Sequence, residues 1–144
     1  MKYISKFTGK YSFLSNFYLV PLYHDGIWFT SSESAFQASK ATNILVKLRF
    51  ANLSPSDAKN LGRKIELRSD WEKVKINIMK EILYQKFLIP NLFTKLLDTD
   101  DAILEEGNTW GDAFWGKVNG SGENNLGKIL MEIRDNFNNL FRKT

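Results

Sequence analysis

The chain has no cysteine and only one histidine. The first absence excludes disulfides, thiolate nucleophiles and Cys-ligated zinc. The second leaves too few ligands for a His-rich metal site, so no metal and no cofactor is expected. His24 itself stands beside Asp25-Gly26, a turn signal. No run of one charge is long enough to read as a nucleic-acid tail. The first residues, MKYISKFTGKY, lack the apolar core of a secretory signal. No apolar stretch approaches membrane-spanning length. A cytoplasmic protein with no membrane partner is therefore expected, and the Asn-Gly-Ser triplet at 119–121 carries no meaning as a glycosylation site. Internal repeats and low-complexity segments are also missing.

What is present fits one domain, residues 1–144, with no linker to divide it. Hydrophobic residues make up 43% and aromatics 14%, including eleven Phe and four Trp, which is ample for one core and leaves rings that can stack on a ligand. The net charge of +4 permits an anionic partner, a phosphate or a nucleic acid, without demanding one.

Residues 3–7, 17–23 and 27–30 have the aromatic and β-branched bias of short strands and suggest a small antiparallel sheet. Helices follow. One starts at Ser32 as N-cap, and a short one runs over 45–51. Ser54-Pro55-Ser56-Asp57 opens a third as N-cap, proline at the first helical position and early acid; it ends at Leu61-Gly62. Asp70 caps a helix over 71–87 whose face is Trp71, Val74, Ile78 and Ile82. Pro90 ends it and another begins near Asn91. Residues 103–106 form a short strand or extended segment. Residues 107–125 hold five of the nine glycines and read as a long loop. The last helix, 126–141, carries an apolar stripe of Leu126, Ile129, Leu130, Ile133, Phe137 and Leu140. The expected fold is α+β, a mostly helical single domain with a small antiparallel sheet.

Two stretches resist a purely structural reading. In SSESAFQASKA (31–41), helical spacing puts Glu33, Phe36, Gln37 and Lys40 on one face. The opposite face, Ala35, Ala38, Ala41, Ser34 and Ser39, is made of small residues suited to close packing. The mixed face is then expected to border a cleft rather than to be a plain solvated surface. In 108–127, Gly122-x-x-x-x-Gly127-Lys128 superficially matches a P-loop. Ile129 stands where the magnesium-binding hydroxyl belongs, and no strand leads in, so a nucleotide triphosphatase is excluded. A glycine-rich loop opening a helix still offers backbone N–H groups to a phosphate, against the plainer reading of a loop with a helix start. Asp112, among Trp110, Phe114 and Trp115, is either an acid or base of raised pKa or the cap of a turn. Arg63-Lys64 and Arg68 form a basic cluster near Trp71, a solvated surface in its simplest reading.

Several motifs in order resemble one family: Phe13-Leu14-Ser15-Asn16-Phe17, the 32–41 stretch, Leu61-Gly62-Arg63, Leu67-Arg68-Ser69-Asp70-Trp71-Glu72, Asp112-Ala113-Phe114-Trp115-Gly116 and Gly122-Glu123-Asn124-Asn125-Leu126-Gly127. Together they are similar to the NADAR (YbiA-like) family from about residue 7 to the end. Ser34 departs from it, since the family usually has His after the Glu.

The resemblance implies a compact α+β domain that hydrolyses N-glycosidic bonds. The implied substrate is ADP-ribose on the exocyclic amine of guanine in nucleic acid, in a toxin or phage-defence setting. The alternative is a phosphoribosylamino-pyrimidine intermediate of riboflavin synthesis. A non-catalytic ADP-ribose or NAD-binding module, or an antitoxin acting by contact alone, are further readings. In the enzyme, Lys40 would exchange with the departing amine through an imine, Glu33 would shuttle protons, and Asp112 would protonate the leaving amine or hold ribose hydroxyls. In the alternative, direct displacement, Glu33 or Asp112 would activate water. Asn16, Phe17, Phe36, Gln37, Trp110, Trp115, Gly122 and Asn124 are the expected substrate-binding residues. Phe17 or Trp110 would stack on the base, Asn16 would bind ribose, and the 120–127 stretch would cradle phosphate.

Overall fold

The β2–β3 hairpin shows how local chemistry starts this fold. In a computed structural model describing residues 2–141, β2 (Leu19–His24) and β3 (Ile27–Ser31) pair antiparallel, with Tyr23 opposite Trp28 and His24 opposite Ile27. Asp25 and Gly26, both at positive φ, make the two-residue turn that matches strand twist. The ladder is irregular between Leu19 and Leu22, where Pro21 has no N–H to donate. Alternation then buries Ile27, Phe29 and Ser31 and leaves Trp28 outside.

The chain divides into two compact units, Asn16–Lys86 and the flanking residues up to Ser15 and from Phe87 onward. We call them the central and the terminal unit. In the central unit the hairpin leads directly into α1 (Ser32–Ala38). Its N-cap is Ser31, one residue earlier than expected, whose hydroxyl accepts from Ser34 N at 3.1 Å. The Ser32 hydroxyl is instead turned to Asn16 Oδ1, at 2.8 Å. All seven residues of α1 are buried, so both faces are covered. α2 (Ile44–Leu48) is capped by Asn43. α3 (Pro55–Gly62) begins as its Ser-Pro-x-Asp opening predicts, with the Ser54 hydroxyl accepting from Asp57 N at 3.1 Å. It packs on α1, and a Cβ at Gly62 would collide with the Gln37 side chain. α4 (Trp71–Phe87) has the expected bounds. Its buried row is Trp71, Met79, Ile82, Leu83 and Lys86, while Val74 and Ile78 are only half-buried.

In the terminal unit β1 (Tyr3–Ile4) pairs with β4 (Ile103–Leu104), and the pairing is parallel. This corrects the expectation of an antiparallel arrangement for the first strand. Its partner lies about a hundred residues along the chain, beyond what local pattern shows. After a 3-10 helix (Gly9–Leu14) come α5 (Pro90–Leu97) and α6 (Asn125–Phe141). The stripe of α6 is buried through Phe137, but Leu140 is 68% exposed. The fold is α+β, chiefly helical, with two two-stranded sheets among the described residues. Among the described residues no helix is long and apolar enough to cross a membrane.

Candidate active site

The candidate groups of the central unit are strung along α1, from Glu33 in its first turn through Gln37 to Lys40 just past its end. Ser39 closes the helix and its hydroxyl donates to Ala35 O at 2.9 Å. Lys40 N donates to Gln37 O at 3.2 Å, and Lys40 O accepts from Arg68 N at 2.8 Å. The lysine is thus pinned on both sides of its Cα while its side chain stays half-buried. Loss of hydration pulls its pKa below the usual lysine value, and Arg63, Lys59 and Lys75 push the same way. Glu33 opposes them. The outcome is an amine more easily deprotonated than an exposed lysine.

Glu33 is buried in the first turn of α1, and its N–H donates to Asn16 O at 3.0 Å. Its Oε2 accepts from Gln37 Nε2, one turn on, at 3.0 Å. Gln37 Oε1 is buried and meets no hydrogen-bond donor among the described residues. Turning the amide over would set oxygen against the Glu33 carboxylate, so the orphaned acceptor follows from holding Glu33.

The other candidates here divide. Phe17 is partly exposed, with Lys59 Nζ 5.9 Å from its ring centre. Phe36 belongs to the core, its ring 5.0 Å from that of Trp71. Asn16 is a bracket for α1: besides Ser32, its amide nitrogen lies 3.6 Å from Met79 Sδ. Ser34 is fully buried and donates to Phe50 O at 2.7 Å, tying α1 to the turn after α2. Lys59 and Lys75, whose charges reach Lys40, were not singled out from sequence. Their helical neighbours give no sign of which lysine they face.

The remaining candidates lie in the terminal unit and are built into its long loop. Asp112 Oδ1 accepts from Phe114 N at 3.1 Å and Trp115 N at 2.9 Å, which is the turn-capping arrangement. Asn108 clamps the same residue, donating to Asp112 O at 2.9 Å and accepting from Asp112 N at 3.1 Å. Trp110 is exposed, whereas Trp115 is half-buried edge-on to Phe114. The expected phosphate cradle is closed. The N–H groups of Glu123, Asn124, Asn125 and Leu126 donate to the carbonyls of Ala113, Gly116, Phe114 and Trp115. Gly122 lies at φ +147, and a Cβ there would meet Gly116 O. Asn124 is buried at φ +55, donating to Leu104 O and accepting from Glu106 N, both at 2.9 Å.

The NADAR domain family matches residues 3–138. The N-glycosidase Npun_R5314 of Nostoc punctiforme is 35% identical over 99% of this chain and 96% of its own length. The N-glycosidase YbiA of Escherichia coli is 38% identical over 89% of this chain and 82% of its own. A Vibrio vulnificus protein named for riboflavin biosynthesis is 36% identical over 87% of this chain, which spans 35% of that longer protein. The NMR structure of Escherichia coli YbiA superposes with a TM-score of 0.88 at 33% identity, covering 99% of this chain and 89% of that one.

Proposed function

We propose that the chain is a hydrolase of N-glycosyl bonds, on the premise of its family: it belongs to the NADAR domain family, matched over residues 3–138. Both units are taken as parts of one such domain, residues 1–144. The observation that carries the reading is the amine of Lys40, half-buried, lowered in pKa and electrostatically coupled to the buried Glu33.

The substrate of this reading is a sugar whose anomeric carbon bears an exocyclic amine nitrogen, foremost ADP-ribosyl-guanine in nucleic acid. The nitrogen lone pair opens the ribose ring to an imine as the ring oxygen takes a proton that the Glu33 carboxylate shuttles to it from solvent. The neutral Lys40 Nζ adds to the anomeric carbon. A proton passes to the base nitrogen, which leaves as the free amine, and the sugar stays as an imine on Lys40. Water adds to that imine and releases the sugar, restoring both residues. Asp112 carries no step here, because its carboxylate caps the 112–115 turn.

A second reading, a phosphoribosylamino-pyrimidine as substrate, draws support from the similarity to the Vibrio vulnificus protein named for riboflavin biosynthesis. The experiment offers wild type and Lys40→Ala an oligonucleotide bearing ADP-ribosyl-guanine and the phosphoribosylamino-uracil, with and without borohydride. Turnover of the first alone, lost in Lys40→Ala and trapped as a protein–sugar adduct, supports the main reading. Turnover of the second alone supports the alternative. Turnover surviving Lys40→Ala moves the chemistry to direct displacement. Binding without turnover of either defeats the enzyme reading for these substrates.

A further inference from the structure

The terminal unit is charge-balanced, with nine Lys and Arg against nine Asp and Glu over residues 1–15 and 87–144. Its charges are nevertheless sorted in space. Lys2 precedes β1, Lys10 lies in the 3-10 helix and Lys95 in α5, yet all three line one small pocket of about 280 Å³. All three are exposed, and none is in an ion pair among the described residues. Asp98 is the one acid in the lining, and it too is in no ion pair there. Asp100 and Asp101 line a different groove, with Asp135 and Arg134.

The walls of the pocket are fixed. Lys2 O accepts from Ile103 N at 2.9 Å, which ties it to the β1–β4 pairing. Tyr11 N donates to Thr8 O at 3.0 Å. Phe13 is buried, its ring edge-on to that of Phe87. Thr99 is buried as well, its hydroxyl donating to Leu96 O at 2.6 Å and accepting from Arg134 Nη1 at 2.9 Å. Arg134 thus sets a fourth cation behind the lining.

The lysine heads converge. The Nζ atoms of Lys10 and Lys2 lie 5.0 and 5.8 Å from the centre of the Tyr11 ring, and that of Lys95 lies 5.8 Å from the centre of the Phe13 ring. Hydrogen bonding from Lys2, and then from Lys10, holds the Tyr11 phenol below its usual value. Ammonium groups repel one another, and each of these long side chains has the freedom to swing apart. A merely solvated basic surface would spread them. An anion with several acceptor oxygens satisfies such donors together, and lysine is a common phosphate ligand.

We propose that this pocket is a phosphate-binding site. Lys2, Lys10 and Lys95 take the phosphate oxygens, and the Tyr11 hydroxyl donates a further hydrogen bond. Where the phosphate is esterified, Asp98 accepts a hydroxyl of the group that carries it. The volume suits inorganic phosphate or a short phosphate ester and is too small for a dinucleotide. The site lies wholly within the terminal unit and rests on no part of the N-glycosidase reading.

The test is calorimetric titration with inorganic phosphate and with glycerol 3-phosphate at constant ionic strength. Wild type is expected to bind. Lys10→Gln with Lys95→Gln should weaken binding roughly tenfold or more, through lost charge-assisted hydrogen bonds. Lys6→Gln with Lys128→Gln removes the same charge from exposed positions outside the pocket and should leave binding unchanged. Tighter binding of the ester than of phosphate, with the difference lost in Asp98→Asn, supports the site with an ester as its ligand. Equal affinities support it with the free ion. Amide NMR of the wild type needs no variant to fold, and phosphate should shift Tyr11 and Thr99. A wild type that binds neither ligand at millimolar concentration overturns the proposal. So does binding that both lysine pairs weaken alike, or amide shifts confined to residues outside the pocket.

Discussion

In the terminal unit, the side chains of Asn108, Asp112 and Asn124 bind backbone groups, and Asn108 also donates to Glu106 Oε2. In the central unit, Lys40 is held through its backbone and its amine is left to be tuned by burial and by charge. The terminal unit is also charge-balanced, whereas the central unit carries the chain's full excess of positive charge. Both units contain motifs of the same family, yet similar-looking polar residues do different work. A side chain that satisfies buried backbone groups supports a loop; one whose own ionisation is shifted by its surroundings is a candidate for chemistry.

The comparison breaks most easily at Lys40. On the proposed imine route, Lys40→Ala should lower kcat/KM by roughly ten thousand-fold, since a covalent nucleophile would have no substitute, with little change in melting temperature. A thermal scan beside the rate assay separates the two effects. Wild-type rate should rise with pH toward the depressed pKa of the amine, because the neutral form reacts.

At Asn124 the expected loss is one of stability. Asn124→Ala strands Leu104 O and Glu106 N and places alanine at positive φ. Chemical denaturation should show a loss of about 2–4 kcal/mol. A smaller change, with a raised KM, would return Asn124 to substrate binding.

Gly62→Ala tests whether Gln37 is fixed. The added methyl meets the buried Gln37 amide, so stability should fall by about 1–3 kcal/mol. Displacing Gln37 also removes a donor from Glu33 and should shift the pH profile of the rate.

The smallest effect concerns Lys86, which is fully buried, with Nζ 5.6 Å from the centre of the Tyr18 ring. Burial pulls its pKa down to about 7. The unfolded chain binds this proton up to the ordinary lysine value, so between there and pH 7 it holds more protons than the native state. Stability should accordingly fall as pH drops through that window and level off below about 7. Lys86→Met should flatten that slope and raise the melting temperature at pH 7 by about 2–4 °C. An unchanged slope would show that Lys86 is charged in the folded protein.

Much of the helical content was legible. The Ser54-Pro55-x-Asp57 opening placed α3, and α4 has the bounds its Asp70 start and following Pro90 suggested. The periodicity of α6 placed its stripe except at Leu140, which is exposed. The candidate site was legible only in kind. Glu33, Gln37 and Lys40 fall together because helical spacing is local, and the same spacing sets Phe36 among them on a face expected to border a cleft. Phe36 instead meets Trp71, a contact made 35 residues away that no spacing rule reports.

By itself the sequence determined the family, the helices and the Asp-Gly hairpin, because capping, turn chemistry and periodicity act between near neighbours. Tertiary structure alone decided that β1 pairs parallel with β4, that the 113–116 carbonyls fill the N–H groups opening α6, and that α1 is covered on both faces. It also decided that Lys40 titrates low, since dehydration and the charges of Glu33, Arg63, Lys59 and Lys75 exist only once distant segments have packed.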